Sequence, residues 1–333
     1  MALAGLLVFV AGLCLGPVAE TDLFFRLAAG EQFLRSGHVV QRNLFSFTFP
    51  DAPYLDPAWL FDAGAALIFR LGGFPAVVLA KTAVVLALAV LAYRLCRARG
   101  ADPPVAALVL ALAFLCLRER LVERPHVFSL LGEMVTLAFL PRLAQGERRG
   151  FWLIPMVALW ANLHAGAFLA AMLLGLAAAG ALLDRADRPA VARLTLASAL
   201  SVAALLATPI GLGVFRYLSF HIGIFDLHPV DEFRAMTWRS DAGSILFLLI
   251  AAGVIALARR GPWREIVPGA GLALLAAGHV RFAADAVLFA AVVAAPAAAR
   301  LADRVVSRWP RASGVTVLVA LLAAGLGPRL AQA

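Results

Sequence analysis

FWLIPMVALWANLHAGAFLAAMLLGLAAAGALL, residues 151–183, is an apolar run with one Asn and one His near its centre. A helix needs ~17–25 residues to cross a bilayer, so the run is too long for one crossing and too short for two comfortable ones. Ala165-Gly166, directly after His164, is where it can break. Two short helices meeting there would put Asn162 and His164 at their turn. Non-helical backbone at membrane depth is tolerated only where it lines a cavity or is buried in protein. Asn162 and His164 are therefore expected to face a polar cavity, or else to satisfy backbone groups at the turn.

The rest of the chain supports that setting. Its 333 residues are 63% hydrophobic and 15% charged, where soluble domains carry roughly 25% charged residues. Apolar runs recur at 2–19, 75–93, 103–117, 125–141, 193–209, 242–258, 265–279, 283–299 and 313–327, separated by arginine-bearing segments. The expectation is an all-α integral membrane protein, a multi-pass bundle of about ten helices forming one transmembrane domain over 1–333. Several runs are at or below crossing length, so some helices must borrow flanking residues or stop partway. The segment 57–72, with Asp62 and Arg70, is short enough to be interfacial or re-entrant rather than a crossing.

The net charge of +9 does not point to nucleic acid, because its distribution follows topology. Segments 94–102, 142–150, 184–193, 259–265 and 300–311 hold 16 Arg against 6 acidic residues, a net of +10. Segments 20–62, 118–124, 210–241 and 279–285 hold 10 Arg against 13 acidic residues, a net of −3. Basic segments stay on the cytoplasmic side, which places 20–56 and 210–241 outside as the two long outer loops. The N-terminal apolar run lacks a positive n-region and reads as an uncleaved first helix. Cys14, Cys96 and Cys116 are scattered in or beside apolar runs and form neither a disulfide framework nor a metal spacing.

The unusual polar residues gather in the outer segments. Glu20 and Asp22 close the first helix, and two carboxylates at this spacing can share a cation, a substrate hydroxyl or a proton; the alternative is an acidic helix end in water. LFFRLAAGEQFLRSG (23–37) interleaves Phe and Leu with Arg and Glu, the pattern of an interfacial amphipathic helix. The aromatic-, Pro- and Asp-rich stretch 42–59 reads as an ordered cap. In RERLVERPHVFSLLGE (118–133), Pro125 suits a helix start, which puts Arg124 at an N-terminus where cation and dipole together favour an anion. His126, Ser129 and Glu133 then share one face of that helix, which looks into the bundle. Arg281, near His279 and Asp285, opens a later helix as a second possible anion site. His228, Asp231 and Glu232 match no strong metal spacing, and no cofactor is expected; a divalent cation at Glu20/Asp22 is chemically possible without being predicted.

Glu20-x-Asp22 after a first transmembrane helix, with an amphipathic helix behind it, resembles the modified Asp-x-Asp motif of membrane-embedded GT-C glycosyltransferases. More narrowly, Asp22, Leu27, Gly30, the Gly37–Arg42 turn, Phe45-Ser46-Phe47-Thr48 and Trp59 resemble a bacterial multi-pass GT-C-like family. That family's Arg-Pro-(His/Gln)-x-Phe-Ser motif is matched at Arg124 to Ser129, and its Arg-Phe pair at 281–282. Its Trp-Ala-Asn-Leu-His-Gly-Gly motif is matched at 160–166 except for Ala165. Pro57-Ala58-Trp59 stands where the pattern has His-Glu-Trp, and Thr237-Trp238 where it has Glu-Trp.

The resemblance implies transfer of a sugar from a polyprenyl-phosphate-linked donor to a glycan, lipid or protein acceptor at the periplasmic face of the bacterial inner membrane. It implies Asp22 as general base, with Glu20 and His164 as catalytic partners. Arg124, His126, Asn162, Arg281 and Glu133 would bind substrate or lipid phosphate. Membrane lipid is an expected partner and nucleic acid is not. The alternatives are a non-catalytic membrane component of an envelope-glycan system, or a transporter or flippase. A transporter spreads polar residues over both sides of the membrane, whereas here they collect on one.

Overall fold

The computed structural model describes residues 1–18, 20–50, 52–224, 231–258 and 262–308, the side chains of 221–224 and 305–308 excepted. The apolar run at 313–327 and His228 lie outside the described residues, as does the side chain of His221. Among the described residues the architecture is helical, and a single bridge, Arg42 to Pro53, is its only β pairing. The helices are α1 (Ala2–Cys14), α2 (Leu23–Ser36), α3 (Trp59–Ala98), α4 (Pro103–Leu117), α5 (His126–Gln145) and α6 (Leu153–Leu163). They continue as α7 (Phe168–Leu183), α8 (Arg188–Ala204), α9 (Gly213–Ile224), α10 (Trp238–Ala258), α11 (Trp263–Gly278) and α12 (Ala283–Arg308). Five stretches, within α3, α5, α7, α10 and α12, are long and apolar enough to cross a membrane individually. The chain is a multi-pass membrane protein, and the shorter apolar helices complete the bundle around those five.

Local sequence explains most boundaries. The run 151–183 splits as expected: α6 ends at Leu163, His164 is extended, and a 3-10 turn over Ala165–Ala167 leads into α7. Gly166 is required at that turn, because any side chain there would collide with the Ser129 hydroxyl. The segment 210–241, expected to be a long outer loop, contains α9 and the start of α10.

Gly72 and Gly73 leave the helical region, with Gly73 at φ +62°, so α3 is two helices in one continuous element. Its first part runs beside α2: Arg26 pairs with Asp62 at 3.1 Å, and Arg70 with Glu31 at 2.7 Å. Gly30 lies against the Asp62 carbonyl, an approach that a Cβ would block. Residues 59–71 thus belong to the interfacial layer with α2. Beyond the break, Lys81 donates to the Cys14 carbonyl at the end of α1 (2.7 Å) and to Leu121 (3.0 Å), and pairs with buried Glu123 at 3.1 Å. From Lys81 to Arg99 the helix advances ~27 Å at 1.5 Å per residue, the thickness of a hydrocarbon core. This leaves one crossing between the first outer segment and the arginine-rich segment 94–102.

The core is aliphatic and small-residue rich, the composition that lets membrane helices approach closely. Val85, Leu88, Leu110, Phe114, Leu130, Leu174, Val287 and Phe289 are all buried in one cluster. At the bundle end remote from Glu20, Arg99 grips Glu265 at 2.9 Å, and Arg193 donates to the Leu143 carbonyl at 3.0 Å. Cys14 and Cys96 are buried and Cys116 half-buried, all as free thiols.

Candidate active site

Segments far apart in sequence converge on a cavity of about 310 Å³ at one end of the bundle. Its walls carry Asp22, Arg26, Tyr54, Asp56, Arg120, Arg124, His126, His164, Tyr217, Glu232, Phe233 and Arg281. A larger cavity of about 510 Å³ between α10, α11 and α12 has mainly apolar walls and stands apart from this cluster; its one charged residue, Glu265, is held by Arg99. The loop over the polar cavity is the ordered cap anticipated from its composition. Phe45 lies 6.0 Å from Phe25 and 5.7 Å from Tyr54, and Phe33 lies 5.0 Å from Trp59, centroid to centroid.

The arginines differ in what they hold. Arg124, just before α5, donates to both Glu20 and Glu232 and stands 3.7 Å from Asp22. Burial opposes its charge, yet the hydrogen bonds to Glu20 and Glu232 prevail and raise its pKa further. Glu20 is buried and fully engaged, taking the Asp22 backbone N–H (3.0 Å) on its other oxygen. Arg120 pairs with Glu232 at 3.1 Å, and Arg26 with Asp62. Burial resists ionisation of Glu232, but Arg120 and Arg124 hold it below the usual carboxylate range.

Arg281 is the exception. In the 3-10 turn before α12, its guanidinium lies 4.9 Å from the Phe233 ring centroid and 5.7 Å from that of Phe282, and no described residue accepts a hydrogen bond from it. The segment carrying Phe233 is strapped beneath it. Val280 N–H donates to Arg234 at 2.9 Å, Met236 N–H to Ala277 at 3.1 Å, and the His279 ring contacts the Phe233 carbonyl at 3.0 Å.

Two histidines face the cavity floor with their rings 6.0 Å apart. His164 Nδ1 accepts from the Gly166 backbone N–H at 3.2 Å and meets the Ser129 hydroxyl at 2.6 Å. A backbone N–H can only donate, so Nδ1 is an acceptor and the neutral ring carries its proton on Nε2. Trp160 donates to Ser129 at 3.0 Å and fixes that hydroxyl. His126 contacts Asp285 through Nε2 at 3.1 Å.

Among the sequence-predicted residues, Asp22, Arg124, His126, His164 and Arg281 line the cavity, with Glu20 directly behind Arg124. Asn162 and Glu133 do not line it. Asn162 accepts from the Trp59 indole at 2.7 Å and donates to Ala158 and Ala207, both at 2.8 Å, so it ties three segments together. Glu133 is fully buried and receives no donor; its neighbour is the Asp285 carboxyl, and the two can hydrogen-bond only when one carries a proton. Sequence reading missed Arg26, Tyr54, Asp56, Arg120 and Tyr217 as wall residues. The only available signal for Asp56 was its place between Tyr54 and Pro57 in a dense aromatic stretch.

The arrangement of these helices has solved counterparts. Archaeal oligosaccharyltransferase AglB from Archaeoglobus fulgidus, in complex with an inhibitory peptide and a dolichol-phosphate, matches with a TM-score of 0.63 at 12% identity, over 98% of this chain and 54% of that one. The Archaeoglobus fulgidus oligosaccharyltransferase in complex with Zn and sulfate matches with a TM-score of 0.61 at 12% identity, over 97% and 51%. The chain has the GT-C fold. It spans about half the length of these proteins. No protein-family model and no curated protein matches its sequence.

The second of those complexes raises the question of a cation at Glu20 and Asp22. Here both carboxylates turn to the Arg124 guanidinium. No grouping of three His, Cys, Asp or Glu side chains suited to a metal occurs among the described residues.

Proposed function

We propose that this GT-C-fold protein transfers a sugar from a polyprenyl-phosphate carrier to an acceptor in the cavity beneath the α2 cap, with Asp22 as the base. The observation that carries the reading is Arg281, a guanidinium with no acceptor among the described residues, which opens onto a cavity that also contains half-exposed Asp22. A desolvated guanidinium whose N–H donors are unmet is costly even with Glu232 and Asp285 acting on it through space, and a phosphate supplies the missing acceptor. His164, with its proton on Nε2, adds a neutral donor on the same wall. The acceptor's nucleophilic atom attacks the anomeric carbon as the bond from that carbon to the carrier phosphate oxygen breaks. The acceptor's proton passes to the Asp22 carboxylate, and the charge leaving on the phosphate meets Arg281.

The cavity's charged walls come from the segments with net charge −3, and the arginine-rich segments at Arg99 and Arg193 cluster at the other end of the bundle. Basic segments are retained in the cytoplasm, which supports a cavity on the periplasmic face of a bacterial inner membrane. The dolichol-phosphate bound in the AglB complex supports a lipid-phosphate donor.

The test is binding of undecaprenyl phosphate to the full chain in lipid nanodiscs, read by thermal unfolding. Wild type should be stabilised, and Arg281→Gln should bind at least about tenfold more weakly, the loss of one charge-assisted hydrogen bond. Wild-type protein that is indifferent to undecaprenyl phosphate would overturn the reading.

A further inference from the structure

Asp56 sits in the same cavity as Asp22 but in the opposite condition. Asp22 is 49% exposed and has Arg124 within 3.7 Å. Asp56 is 4% exposed, with the Ala58 backbone N–H at 3.0 Å as its one hydrogen bond. Its other carboxylate oxygen has no donor among the described residues and opens onto the cavity. The nearest cation, Arg26, is committed to Asp62 at 3.1 Å. A buried carboxylate with a single amide partner is under-satisfied by several lone pairs. Burial accordingly pushes the Asp56 carboxyl upward, with the Ala58 amide and Arg26 only partly opposing the shift.

The cavity thus carries two unmet demands, an anion at Arg281 and a hydrogen-bond donor at Asp56. We propose that Asp56 is the acceptor-binding residue, receiving a hydrogen bond from a hydroxyl of the acceptor, so that the acceptor is an alcohol. This rests on the glycosyl-transfer reading. Nucleophilicity decides between hydroxyl and amine. An amine meets a carboxylate as its ammonium ion, which has no lone pair to attack the anomeric carbon, whereas a hydroxyl donates a hydrogen bond and keeps its lone pairs. Asp62, which sequence position alone would rank with Asp56, is excluded because it does not line the cavity: one carboxylate oxygen is held by Arg26 and the other is buried.

The experiment uses the full chain in nanodiscs with two probes: undecaprenyl phosphate for the Arg281 side, and n-octyl β-D-glucoside below its micellar concentration as a membrane-soluble alcohol, followed by saturation-transfer NMR. Wild type should bind both. Asp56→Ala should weaken glucoside binding by about tenfold or more while undecaprenyl phosphate affinity stays within about twofold. Asp56→Asn preserves the shape and one acceptor oxygen, so it should fall between the two and serves if the alanine variant does not fold. Glucoside binding unchanged in both variants overturns the assignment, as does wild type that binds the phosphate without the glucoside. Octylamine binding in preference to the glucoside, lost in Asp56→Ala, overturns the choice of an alcohol. Failure of wild type to bind undecaprenyl phosphate, with glucoside binding still dependent on Asp56, instead removes the glycosyl-transfer reading.

Discussion

Arg124 and Glu232, 108 positions apart in sequence, are joined guanidinium to carboxylate, and the same Arg124 also holds Glu20. One side chain therefore fastens the connection between α1 and α2, the start of α5 and the segment before α10 around a single cavity; the first helix, expected to run to Glu20, ends at Cys14. This arginine is hydrogen-bonded to its counter-charges, whereas Arg281 has no acceptor among the described residues and meets Glu232 and Asp285 only through space.

Arg124→Gln should therefore destabilise the protein, by ~1–3 kcal/mol, because it leaves Glu20 only 5% exposed with its cation gone. Thermal unfolding of the purified variant measures this. The double variant with Glu20→Gln should lose less than the sum of the two single changes. An Arg124→Gln protein that melts at or above wild type would mean that Arg124 is available to an external anion after all.

The pH dependence follows from Glu232, whose carboxyl Arg120 and Arg124 hold below its ordinary value despite burial. In the unfolded chain that carboxyl takes up a proton near ~4.3. Its stabilising contribution is thus fully present above that pH and is lost as pH falls through the lower folded value. The hydrogen-exchange protection factors at 231–236 should be flat from about pH 5 to 8 and fall below about pH 4, with Glu232→Gln already weakly protected at neutral pH. Loosening of this segment between pH 6 and 8 would assign its anchoring to another group.

Asp22→Asn preserves size but removes the proton-accepting oxygen, and a lost general base costs ~10²–10⁴ in rate with folding intact. A complementation or transfer assay should show that loss beside an unchanged melting profile. Near-full activity would remove Asp22 from the chemistry.

Gly166→Ala should disturb the cavity floor without touching a charge. The new methyl would meet the Ser129 hydroxyl and the His164 ring, displacing the contact that fixes Nδ1. Overpacking of this kind costs ~1–3 kcal/mol. The His164 ring resonances in NMR should move, and an unmoved spectrum would show that the turn has slack.

Cysteine substitutions at Ser46 and Gly146, in a background free of Cys14, Cys96 and Cys116, test the orientation. A membrane-impermeant maleimide should label position 46 in intact cells and position 146 only after lysis. Labelling at 146 in intact cells would invert the topology.

Much of the fold was legible because its causes are local. The interfacial helix at 23–37, the break after His164, the helix start after Pro125 and the inward stripe of Ser129 and Glu133 each follow from a few neighbouring residues. The segment 57–72 was ambiguous for a physical reason. Its apolar content is compatible with crossing or lying flat, and Arg26–Asp62 and Glu31–Arg70, pairs 36 and 39 positions apart, lay it beside α2.

The sequence by itself determined that this is a multi-pass helical protein whose unusual polar residues collect at one end, since hydropathy, helix breakers and charge asymmetry act over short spans of chain. Only the tertiary structure decided what each of those residues is for. Arg124 and Arg281 look alike in sequence, each at the start of an outer helix, yet one is neutralised by Glu20 and Glu232 and the other faces a cavity. Asp56 and Asp62 look alike too, yet only Asp62 received an arginine. A charge in a low-dielectric setting is defined by its partner and its access to water, and both are set by distant segments that meet only when the bundle closes.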